Sequence, residues 1–120
     1  MVVMKIADTR LLEEVQKEFS TQFPFLELAF HEKGQIQAIN PNLMPGLKIG
    51  DIRTNGSNGL LVLYGNITCD AVEQTMADIF GLHVKICNRW NVPCNPSHRA
   101  KPLAELNYKA MHMVEDVVFV

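Results

Sequence analysis

The chain has 120 residues, of which 48% are hydrophobic and 20% charged, with a net charge of −2 at neutral pH. That length fits one domain with a single core, the composition excludes a disordered chain, and the charge gives no overall pull toward nucleic acid or anionic membrane. No run approaches the ~18 apolar residues of a transmembrane helix.

The N-terminal residues lack the apolar core and cleavage site of a secretory signal, so the three cysteines are expected as reduced thiols in a cytoplasmic protein. Asp8 or Thr9 can cap a first helix with Leu12, Val15 and Phe19 on one stripe. Pro24 ends it, because the residue before a proline is pushed toward extended geometry. Leu26, Leu28 and Phe30 then alternate with Glu27, Ala29 and His31 as a half-buried strand. His31–Gly34 reads as a turn into a short strand at Gln35–Ile39. The Asn-, Pro- and Gly-rich span from Asn40 to Gly59 divides into a connection, a strand at Leu47–Arg53 and a hairpin turn at Thr54–Asn58. Gly59–Gly65, nearly all apolar, reads as a central strand.

Thr68 is placed to cap a second helix, with Asp70 and Glu73 near the positive end of its dipole. Its apolar stripe is Val72, Met76, Ile79 and Phe80, and Gly81 supplies the C-terminal cap. Leu82, Val84 and Ile86 alternate as the next strand. Pro102 opens a third helix with Leu103, Leu106, Ala110, Met113 and Val117 inward. The order α-β-β-β-β-α-β-β-α, without internal repeat or linker, predicts an α+β fold over residues 1–120. Its mixed sheet would hold five to six strands with helices mainly on one face, and a parallel crossover would join the strand at Leu60 to that ending at Cys87.

Residues 83–101 concentrate the unusual side chains. As a metal site His83 fails, since four residues along a strand put it ~13 Å from Cys87. Cys87, Cys94 and His98 remain as candidate zinc ligands, without the close cysteine pair that usually nucleates such a site. As a nucleic-acid surface the stretch has more to offer. Residues 79–104 contain no acid, while Lys85, Arg89, Arg99 and Lys101 leave the remainder at −6. Trp90 at a hairpin tip would stack on a base while Lys85, Arg89, Arg99 and Lys101 take phosphate. Alternatively Trp90 folds back over a sheet edge. Cys69 begins the second helix, where the dipole favours thiolate, although small polar residues commonly begin helices.

The run "LKIGDIRTNGSNGLLVLYGNITCDAVEQTMADIFGLHVKIC", preceded by "EEVQKEFSTQFPFLELAF", resembles small uncharacterised bacterial proteins of similar length. The resemblance lies in module order: an opening helix ending in Phe-Pro-Phe-Leu, a "GDIR" strand, "FGLHV", a Trp-bearing hairpin and a last helix. It implies a stand-alone domain and brings no activity. No catalytic motif, phosphate loop or dinucleotide fingerprint is present, so neither an enzyme nor a cofactor is expected. The expected function is a non-enzymatic protein-interaction module, with an unidentified protein or a second copy as partner. Val117, Val118, Phe119 and Val120 are the candidate interface, an apolar run after Glu115 and Asp116.

Overall fold

A computed structural model describes residues 2–112. The order is β1 (Val2–Ile6), α1 (Leu12–Gln22), β2 (Leu26–His31), α2 (Ile49–Ile52), β3 (Gly59–Leu63), α3 (Cys69–Asp78), β4 (His83–Asn88), a 3-10 turn (Pro96–His98) and α4 (Leu103–His112). The α+β class stands. The sheet does not: among the described residues four strands form two antiparallel pairs, β1 with β3 and β2 with β4, in place of five to six strands in one mixed sheet. The strands on either side of α3 therefore lie in different sheets, and the expected parallel crossover is not formed.

Four local segments differ from the sequence reading for physical reasons. β1 is an amphipathic strand, with Met4 and Ile6 buried and Val3 and Lys5 outward. Leu47–Arg53 is no strand, because Asp51 reaches back to accept the Lys48 N–H at 2.9 Å and closes the single turn α2. Gln35–Ile39 contributes one ladder-like bond, Ile39 N–H to the Phe30 carbonyl at 2.8 Å, and no strand. With α2 in place Thr54–Asn58 joins no hairpin. It lies instead on the end of α3, where Thr54 and Ser57 donate to the carbonyls of Gly81 and Ile79. Gly81 has φ +65°, and a Cβ there would stand 1.6 Å from the Asn55 oxygen, so its missing side chain is required.

The pairings expose a duplication that periodicity alone does not reveal. Val2 and Gly59, and Leu12 and Cys69, the first residues of corresponding strands and helices, are each 57 residues apart. β1–α1–β2 and β3–α3–β4 are thus two copies of one strand–helix–strand unit. Met4 and Leu61, Ile6 and Leu63, Val15 and Val72, Phe19 and Met76, and Phe23 and Phe80 are buried pairs in this correspondence. After the helix the second unit is one residue shorter, which matches Leu26, Leu28 and Phe30 to Leu82, Val84 and Ile86. Like pairs with like: β1 opposes β3 symmetrically about Met4 and Leu61, and β2 opposes β4 symmetrically about Ala29 and Lys85. Each unit therefore supplies one strand to each sheet.

One apolar cluster joins the inner faces of both sheets to α1, α3 and α4. Ile79, expected inside, is 54% exposed, and of the last helix's inner face Leu103 and Leu106 are buried. Met113 and Val117 lie outside the described residues, as do Val118, Phe119 and Val120.

Candidate functional site

The stretch that begins at His83 leaves β4, turns at Asn88–Asn91 and returns alongside it. The Asn88 side chain accepts from the N–H groups of Trp90 and Val92 and fixes the turn, with Asn91 at φ +61°. The return arm makes one isolated bridge, Cys87 with Pro93, and no strand. Beyond it Cys94 N–H reaches the Ile86 carbonyl at 3.0 Å. The Ile86 N–H has a side-chain partner, Glu73 Oε2 at 3.1 Å.

From Cys94 the chain crosses to the start of α3 and is laced to it. Thr68 caps α3 through its hydroxyl, which accepts from Ala71 N–H at 3.1 Å. Cys69 N–H donates to the Lys101 carbonyl and Asp70 N–H to the Arg99 carbonyl, at 3.2 and 2.9 Å. Segment 99–101 thereby satisfies donors that a helix N-terminus leaves without intrahelical partners. The Arg99 guanidinium returns the contact, with Nε on Asp70 at 3.1 Å and a second nitrogen on Glu73 Oε1.

Beneath this lacing lie two thiols. The Cys69 Sγ–H donates to Glu73 Oε2 at 3.3 Å. Cys69 and Cys94 are both buried. Cys94 approaches the Asn95 carbonyl, at 3.6 Å. Cys69 lowers the Cys94 thiol below its ordinary range, and Arg99 adds to the effect against burial and the acids nearby. Cys69 moves the other way. Cys94, burial and the Glu73 carboxylate all disfavour its thiolate, which overrides the helix-dipole expectation. Cys87 projects from the opposite face of β4 toward Glu27, and burial pushes its thiol up to about 12.

On that opposite face His31 stands across the ladder from His83, and Ala29 from Lys85. His31 is 8% exposed, and neither ring nitrogen has a hydrogen-bond partner. A cavity of about 350 Å³ lies beside it, bounded by His83, Lys85, Glu73 and Arg99. Burial and then the Lys85 charge hold the imidazole below its usual range, against a smaller opposing influence from the carbonyls of Gln35, Ile36 and Gln37.

The candidate nucleic-acid residues have these surroundings. Trp90 is 60% exposed at the turn, not folded over an edge. Arg89 stacks over Phe25 with 5.6 Å to the ring centroid. Lys85 and Arg99 both line the cavity by His31, where Arg99 is held by two carboxylates, and Lys101 lies 3.9 Å from Glu105. Cys87, Cys94 and His98 do not converge: among the described residues no three His, Cys, Asp or Glu side chains are grouped to hold a metal. No described helix is long and apolar enough to cross a membrane.

A second surface escapes the sequence reading because β1 does. Val3, Leu60 and Val62 project from the outer face of the β1/β3 sheet, 46%, 65% and 40% exposed, and Tyr64 continues the row. Val3 is directly opposite Val62, and Lys5 opposite Leu60. The alternation of Leu61 and Leu63 inward with Leu60 and Val62 outward was hidden by an unbroken apolar run.

In comparison with known proteins, no family model matches the chain, and no curated protein or solved structure matches it.

Proposed function

We propose that this protein is a non-enzymatic interaction module that associates with a second copy of itself through the β1/β3 sheet. The observation that carries the reading is the outer face of that sheet, where Leu60 is 65% exposed among Val3, Val62 and Tyr64. Among the described residues each strand of the pair has one partner, which leaves strand edges for further pairing. A second copy suits it. The pairing is symmetric about Met4 and Leu61, so the same row of exposed positions is presented after a half-turn, and an isologous contact sets the same patch of both copies face to face. Lys5 is the charged member of the register, opposite Leu60, and its aliphatic stem can lie along the apolar row with its amine at the rim.

Sedimentation velocity across a micromolar series tests the proposal. The full chain is expected to sediment as a dimer at the upper end. Leu60→Lys is expected to sediment as a monomer with unchanged circular dichroism, because the side chain is exposed and leaves the core intact. A wild-type chain that stays monomeric throughout the series overturns the reading.

A further inference from the structure

We infer that the cavity of about 350 Å³ beside His31 binds a small zwitterion, of the class of free amino acids and their short peptides, between the turn after β2 and helix α3. The volume is in the range of small-molecule sites. Three kinds of group in its wall have bonding capacity to spare. His31 is 8% exposed and neither ring nitrogen has a partner, although buried polar side chains are ordinarily satisfied. Val84 adds a backbone pair. Ile86 directs its N–H to Glu73 and receives Cys94 N–H on its carbonyl, both on the side away from β2. Val84, two residues back along β4, therefore turns its own N–H and carbonyl to that side, where it lines the cavity. Among the described residues no hydrogen bond takes either group.

Charge sets the ligand class. Glu32 and Lys85 border the same cavity, both exposed to an entering molecule, and neither is in an ion pair among the described residues. Opposite charges thus face one space without meeting. On the α3 side Arg99 is shared by Asp70 and Glu73, which leaves that wall with a negative balance. A bare anion on Lys85 would face repulsion from these acids, and a bare cation on Glu32 would face repulsion from Lys85. A molecule with both charges meets neither penalty: its carboxylate pairs with Lys85 and its ammonium with Glu32. The rest of the wall has the same mixed character. Val84 presents one donor and one acceptor, and so does the His31 ring, which burial and the Lys85 charge favour as neutral.

Histidine ring signals of the full-length chain, followed by NMR at neutral pH and assigned with His31→Gln and His83→Gln, test this. Glycine and glycylglycine are the zwitterionic probes, and sodium acetate and methylammonium chloride are the single-charge controls. At least one zwitterion is expected to shift the His31 and His83 signals saturably at millimolar concentration, while neither control saturates in the same range. Whichever zwitterion binds tighter identifies a free amino acid or a peptide as the preferred form. Lys85→Gln and Glu32→Gln change exposed side chains and leave the core intact, and each is expected to weaken binding about two- to fivefold. Saturation by acetate or methylammonium as tight as by the zwitterions, no saturation by either zwitterion at tens of millimolar, or undiminished binding by both variants overturns the inference.

Discussion

His31 shows how one residue can make stability depend on pH. It is the buried polar side chain of the described core, and its ring nitrogens have no hydrogen-bond partners. Protonation would place a second donor and a charge in a space where Lys85 already repels it. The folded protein therefore prefers the neutral ring, and its folded-state pKa lies below the ordinary 6.5. The unfolded chain then binds more protons as the solution becomes acidic, so stability is fully present above 6.5 and is lost as pH falls toward the folded-state value. Thermal midpoints measured from pH 8 to pH 5 should decline below about 6.5, and His31→Gln should flatten that part of the profile. An identical slope in the variant would assign the decline to other groups.

At the scale of the element, α3 depends on a local cap and on a tertiary one. Thr68 satisfies Ala71 N–H through its hydroxyl, while Cys69 and Asp70 donate to carbonyls of the 99–101 segment. Removing the first should cost about 1 kcal/mol of stability in urea unfolding, as expected for Thr68→Ala, with Thr68→Ser close to wild type. The local half of this arrangement was legible in the sequence: Thr68, the stripe of Val72, Met76 and Phe80, and Gly81 at φ +65° are where the pattern puts them. So were α1 and the alternation of β2 and β4. Non-local determinants were not. Leu47–Arg53 has the composition of a strand, but a backward hydrogen bond from Asp51 turns it. Met4 and Ile6 alternate over too few residues to announce β1 without its partner, 57 residues away. Of the candidate site, the cysteines were visible one by one. The lacing of the stretch after Cys94 to the start of α3 depends on the return of segment 99–101, which no spacing encodes.

For the whole molecule, the duplicated unit sets how the chain holds together. β1 has its partner in the second unit, and so does β2. A fragment of residues 1–57 and another of residues 58–120 each contain two strands that have lost their pairs. Each should be largely unstructured by far-UV circular dichroism, and mixing them in equal amounts should restore the spectrum of the intact chain. A cooperative melt of either fragment alone would show that the units are not interdependent. The interlocking also bears on speed. Every partner in the two described ladders lies between 52 and 62 residues from its mate along the chain, so neither sheet can start as a local hairpin. Both sheets wait on closure of nearly the same long loop, an entropic toll met before any strand pair repays it. Once that loop has closed for one sheet, the second is largely pre-aligned, because α1 and α3 connect the same two meetings. Folding is thus governed by a single late search, after which the two sheets register almost together.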